Sequence, residues 1–147
     1  FIAMLFAGAL VLQYPIGWLS DRMDRRMLIL AAALVCGLGA FLGALTGGYF
    51  PVLLVAAFMI GGMSNPLYSL LMAYTNDYLQ VEDMAAASGG MIFINGVGAI
   101  SGPLITGWAM RALEPAAFWL VLGVTFAAIA TYAAYRMTQR ATSAPSD

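Results

Sequence analysis

Gly17-Trp18-Leu19-Ser20-Asp21-Arg22-Met23-Asp24-Arg25-Arg26 separates two apolar runs, Phe1 to about Leu19 and Met27 to about Thr46, each long enough to cross a bilayer. Three arginines and two aspartates fall within the six positions 21–26, which hold half of the chain's six basic residues. They stay out of hydrocarbon, because a charge at mid-bilayer costs at least ~2.5 to 3.5 kcal/mol. The stretch therefore reads as a short loop at a membrane surface. Arginine-rich short loops are held on the cytoplasmic side, so it also orients every helix that follows.

Working outward, a helix needs ~20 mostly apolar residues to span ~30 Å of hydrocarbon. Five stretches meet or approach that length, at about 1–19, 27–46, 51–74, 88–110 and 116–137. Gly47-Gly48-Tyr49-Phe50 is a turn too short for anything but an antiparallel hairpin between the second and third. The polar segment Thr75 to Ala87 and the stretch Arg111-Ala112-Leu113-Glu114-Pro115 divide the rest. Residues 1–137 are expected to form one all-α polytopic membrane helix bundle, and the polar residues 138–147 a cytoplasmic tail. With the arginine-rich loop inside, Arg136 and Arg140 also fall inside and only Arg111 outside, five to one in favour of this topology. Asp77, Glu82 and Asp83 on the second inner loop do not oppose it, since acidic residues contribute little to orientation.

Composition agrees. The chain is 63% hydrophobic and 9% charged, with a mean hydropathy of +0.88, against roughly 45–50% apolar and 25% charged in soluble domains. Buried helices of a soluble protein would be interleaved with amphipathic ones, which are absent, and a lipid-facing barrel would alternate every second residue, which this chain does not. There is no basic footprint for nucleic acid. The chain opens inside an apolar run without an initiator Met, which suggests truncation. A single Cys36 excludes an internal disulfide, and the absence of histidine excludes a His-based triad or His metal site. Gly96-Val97-Gly98 lacks the third glycine of a dinucleotide loop and lies in an apolar run. No cofactor, metal or enzymatic activity is expected.

The run from Gly17 to Ile29 resembles the loop signature of the major facilitator superfamily: Gly, any, Leu, small, Asp, Arg, any, Gly, Arg, Arg, then apolar residues. It departs once, with Asp24 where Gly is usual. The resemblance implies a secondary transporter of twelve helices in two halves, of which this chain would carry about five, moving a small-molecule substrate by alternating access. Its partners would be the lipid bilayer and an N-terminal half of the same chain. The signature recurs in both halves. The absence of an arginine on the third helix, the polar close after three more helices and the return of positive charge there favour the second half. Pro66-Leu67-Tyr68-Ser69, Asn76-Asp77, Glu82 to Gly89 and Gly98 to Gly107 look like helices ten and eleven of the bacterial YcaD-like branch. Gly98 to Gly107 also points the other way, being close to the glycine- and proline-rich pattern on helix five of antiporters, with Thr106 in place of one Gly. By analogy Asp21 would face the positive end of a helix in the other half, while Arg22, Arg25 and Arg26 would seek Glu82 or Asp83 and bias the gating equilibrium. The bland alternative is that these arginines serve only topology.

Polar residues at membrane depth are the substrate-pathway candidates. Asn65, Tyr68, Ser69 and Met72 share a face of the third helix by their three- and four-residue spacing, beside Pro66. Met91, Asn95 and Gly98 share one on the fourth, and Gln13 lies about a turn before Gly17. An amide in hydrocarbon needs a partner, so these are expected to face the bundle interior. Interhelical hydrogen bonds worth ~0.6 to 2 kcal/mol are the competing explanation. The first, third and fourth helices are thus expected around the cavity, with the second and fifth at the rim. Ala32, Cys36, Gly39 and Gly43 form a small-residue stripe suited to close helix approach, as do Gly98 and Gly102 beside Pro103. No acid, lysine or histidine sits mid-run, so an ion-coupling residue would lie elsewhere. A membrane sensor or assembly protein that kept the scaffold without transporting is the alternative function.

Overall fold

The computed structural model describes residues 1–46 and 48–139, so the tail beyond 139, with Arg140, lies outside the described residues. Among them the chain is all helical: α1 Ile2–Ser20, α2 Arg25–Leu45, α3 Phe50–Asn76, α4 Val81–Ala112 and α5 Ala117–Gln139. All five are long and apolar enough to cross a membrane. Each closes its own backbone hydrogen bonds, which is the condition for lying in lipid.

Local signals set the helix ends. Asp24 is the N-cap of α2, with extended backbone (φ −60°, ψ 117°), and its Oδ1 accepts from the Arg26 N–H at 2.9 Å. The departure from the family signature thus satisfies one of the donors that a helix start leaves open. Gly48 turns the chain between α2 and α3 at φ +93°, a conformation that a side chain resists. Pro51 follows in the first turn of α3, where a missing N–H does no harm.

The helices run past the apolar stretches at several ends: α3 closes at Asn76, α4 at Ala112 and α5 at Gln139, each two residues beyond the sequence expectation, and two starts come early. α2 starts at Arg25 rather than Met27, and α4 at Val81 rather than Ser88. Hydropathy marks where hydrocarbon ends, not where a helix does. Met84-Ala85-Ala86-Ala87 are strong helix formers, and Glu82 and Asp83 suit the positive end of a helix dipole. At 32 residues α4 extends roughly 48 Å, well beyond hydrocarbon thickness.

The core is built on α2, which packs against α3 on one side and α5 on the other. Leu28, Ile29, Ala32, Cys36 and Ala40 of α2 meet Ile60, Leu67 and Leu70 of α3 and Phe126 of α5. Small residues let α2 approach both neighbours closely. Gly39 lies against Ala56, Met59 and Ile60, and Gly43 lies under the Trp119 indole. α1 packs on α3 through Gly8, Gly61 and Gly62, where an added Cβ on Gly61 would strike the backbone of Leu5. Close backbone approach of this kind replaces the hydrophobic effect as the source of packing energy in lipid.

α4 stands apart. It touches α5 and, lightly, α3, and among its described residues only Ala109 is buried. Gly98 and Gly102 face open space, and Pro103 is exposed. The packing expected of these three has no counterpart among the described residues, because no helix lies against that side of α4.

Candidate functional site

The charged loop and the end of α3 assemble into one cluster. Arg25 Nη1 donates to both Oδ1 and Oδ2 of Asp77 at 2.7 Å. Arg26 Nη2 donates to the Tyr78 hydroxyl at 2.7 Å and its guanidinium lies 5.7 Å from the Tyr74 ring centroid, with Tyr74 and Tyr78 edge to face at 5.1 Å. Arg22 stacks on Trp18, one turn back, at 3.8 Å. Each arginine of the loop thus has a different partner, two of them reaching across to the segment 74–78.

The acid that meets the loop is Asp77, and this corrects the expectation of Glu82 or Asp83. The Arg25–Asp77 pair is the salt bridge found among the described residues. Glu82 and Asp83 are exposed in the first turn of α4, where the helix terminus already receives their charge. The reason is register: α3 runs through Asn76, so Asp77 caps the helix that packs directly on α2, whereas Glu82 and Asp83 belong to the helix that stands away.

Beside this cluster a cleft of about 300 Å³ opens between α1 and α3. Gln13, Gly17 and Asp21 line one wall, Pro66, Ser69 and Ala73 the other, and Arg25 closes the end. α1 and α3 run parallel here, in close contact at Gly8, Gly61 and Gly62 one to two turns away, and Ile16 and Leu70 complete the lining. Pro66 lies inside α3 and cannot donate a backbone hydrogen bond, which frees a carbonyl one turn earlier. The wall therefore combines an amide, a hydroxyl, a carboxylate and a guanidinium, a donor and acceptor set suited to a polar solute. Among the described residues no group of acids and cysteines could hold a metal ion.

Two sequence candidates, Gln13 and Ser69, come together in this cleft with Gly17, Asp21 and Arg25. The others do not join them. Tyr68 is half-buried on α3, while Asn65 and Asn95 are exposed. Gln13 and Ser69 are exposed as well, so exposure does not separate the four: α4 carries Asn95 on a side that no described helix covers, and Asn65 lies outside the α2–α3 core. Sequence reasoning missed Asp77, Tyr74 and Tyr78 as partners of the loop. The available signal was the amphipathic close of α3, Tyr74-Thr75-Asn76-Asp77-Tyr78, directly after an apolar run.

Comparison with known proteins agrees with this architecture. The sequence profile of the Major Facilitator Superfamily matches residues 1–147. Among curated relatives, an uncharacterized MFS-type transporter, YfkF of Bacillus subtilis (strain 168), is 29% identical over 127 residues, covering 83% of this chain and 31% of the relative. Another, YE1530 of Yersinia enterocolitica, is 27% identical over 124 residues, covering 84% and 31%. The chain thus spans about a third of the length of these relatives. No solved structure matches. Five membrane-length helices, the charged loop between α1 and α2 and a profile match along the whole sequence place the chain in the major facilitator superfamily.

Proposed function

We propose that this chain is part of a secondary transporter that moves a small polar solute across the bacterial cytoplasmic membrane by alternating access. It would supply five helices of the second half, in a branch like the YcaD-like transporters, with the rest of a longer protein supplying the other half. The family match, the transporter names of the relatives and their greater length support this reading. The observation that carries it is the cleft in which Gln13 and Ser69 meet Asp21 and Arg25. Polar side chains on two packed helices, at the end of the bundle that carries the charged loop, couple solute contact to that loop.

In this reading Arg22, Arg25 and Arg26 lie at the cytoplasmic boundary, as does the C-terminus. The Arg25–Asp77 bridge and the Arg26–Tyr78 bond hold the inner ends of α2 and α3 together as one rigid unit, so that the two halves rock as bodies. Asp21, exposed at the end of α1, is left to meet the opposing half and favour one state by a few kcal/mol at most. Glu82 and Asp83 start α4 on the same side. Asn65, Tyr68 and Asn95 remain pathway candidates toward surfaces that the other half would cover.

The test is a screen of the full-length protein for solute-dependent thermal stabilisation, since a ligand that binds only the folded state raises stability by mass action. A stabilising solute whose effect is lost in Gln13→Leu and Ser69→Ala supports the cleft as its path. A solute that stabilises both variants as well as the parent contradicts it.

A further inference from the structure

A second junction of polar and apolar side chains lies between α2, α3 and α5, away from the cleft. There Arg26 of α2 and Arg136 of α5 line a cavity of about 190 Å³ together with Tyr74 and Tyr132. A single water needs only ~10 to 15 Å³ of such space, so the cavity has room for a larger polar group. Its inner end is aliphatic, made by Ile29, Leu71 and Ile129. One turn outward along each helix stand Arg26, Tyr74 and Tyr132, and Arg136 follows a turn later. α2 and α5 are antiparallel, with Gly43 against Trp119 and Gly37 against Phe126. Helical side chains lean toward the N-terminus of their own helix. Arg26 therefore leans toward water while Arg136 leans back from the end of α5, which brings the two guanidinium groups toward one level.

Two cations lining one cavity repel each other unless an anion lies between them. The acids described at this end of the bundle are all placed elsewhere. Asp77 holds Arg25, the Asp24 carboxylate caps α2, Asp21 lines the cleft between α1 and α3, and Glu82 and Asp83 start α4. No carboxylate lines this cavity. The Tyr78 hydroxyl takes one Nη2 donor of Arg26, and a guanidinium has five, so others remain. Arg136 has no ion-pair partner among the described residues. Orientation in the membrane needs only charge near a helix end. It does not need arginines from opposite ends of the chain to converge on one walled pocket.

We infer that this cavity is a phosphate site, in which Arg26 and Arg136 hold a phosphate group of net negative charge through charge-assisted hydrogen bonds. An anionic phospholipid headgroup and a soluble phosphate ester both carry that group. The position at the water boundary of a membrane-spanning bundle, between basic side chains of neighbouring helices and beside two phenols, favours the headgroup. Because Arg26 also bonds Tyr78, the bound phosphate joins α5 to the α2–α3 clamp. The inference rests on membrane spanning alone and not on which solute, if any, is carried.

Full-length protein in a neutral detergent is titrated with phosphatidylglycerol, with phosphatidylcholine of identical chains and with glycerol phosphate, and retained ligand is counted by native mass spectrometry. The parent is expected to retain phosphatidylglycerol at least threefold over phosphatidylcholine. Arg136→Gln is expected to lower that retention at least threefold, Arg136→Lys to lower it less, and Arg111→Gln, at the opposite end of the bundle, to leave it unchanged. Glycerol phosphate retained as well as phosphatidylglycerol, and lost in Arg136→Gln, supports the site and assigns it to a soluble ester. A parent protein that neither prefers phosphatidylglycerol over phosphatidylcholine nor retains glycerol phosphate overturns the inference, whether or not a variant folds. Undiminished retention in folded Arg136→Gln, or in Ala133→Glu, which sets a carboxylate in the same lining, also overturns it, since the preference would then come from other arginines of the chain.

Discussion

Arg25 Nη1 lies 2.7 Å from each carboxylate oxygen of Asp77, joining residues 52 apart in sequence at the start of α2 and the end of α3. The side chains are 25% and 50% exposed, so water screens the pair and its net contribution to stability is about 0.2 to 1 kcal/mol. Its value is positional: it fixes one end of the α2–α3 hairpin whose other end is the turn at Gly48. A double-mutant cycle of Arg25→Ala and Asp77→Ala in the full-length protein is expected to show a coupling energy in that range that shrinks as salt is raised. The same cycle with Glu82→Ala in place of Asp77→Ala is expected to show none.

Asp24 is expected to behave as a helix cap rather than as a charge. Asp24→Ala should cost about 1 kcal/mol, Asp24→Asn much less, and Asp24→Gly, which restores the usual family residue, only a few tenths. Thermal unfolding of the three variants in detergent would rank them. Equal loss in Asn and Ala would assign the effect to the carboxylate charge instead.

Glycines on these helices are expected to differ sharply in tolerance. Gly61→Ala would push a methyl group into the backbone of Leu5, and the α1–α3 contact must open to admit it. At Gly37 an added Cβ would meet only Phe126 Cβ, at 3.9 Å. Gly61→Ala should therefore destabilise by about 1 to 3 kcal/mol, while Gly37→Ala should be neutral or gain up to about 1 kcal/mol of helix propensity. Comparing the two melting temperatures separates steric contact from propensity, since propensity alone predicts a gain at both.

These contrasts also show how far the sequence could be read. Length and hydropathy are enough to locate five helices, because a membrane fixes the number of residues needed to cross it. The stripe Ala32, Cys36, Gly39 and Gly43 was legible as a packing face because small residues at helical spacing have few other uses in lipid. Its partners were not, since nothing local says that Gly43 meets Trp119, 76 positions later. The start of α4 was hidden because a helix continues into water without a change in periodicity. Asp77 was hidden among three acids on one loop, and only the packing of α3 on α2 selects it. Of the polar candidates, Gln13 and Ser69 meet because α1 and α3 pack closely, while Asn95 sits on a helix with few neighbours in this chain.

Which side of the membrane holds Arg22, Arg25 and Arg26 decides everything built on them, and one labelling experiment reads it. Met23, exposed in the middle of that loop, is replaced by Cys in full-length protein whose buried Cys36 has been changed to Ala, and a membrane-impermeant maleimide is applied to intact cells and to inverted vesicles. Reaction in inverted vesicles alone is the expected result and places the loop at the inner boundary between two crossing helices. Reaction on intact cells contradicts that placement, and with it the orientation of α1 to α5.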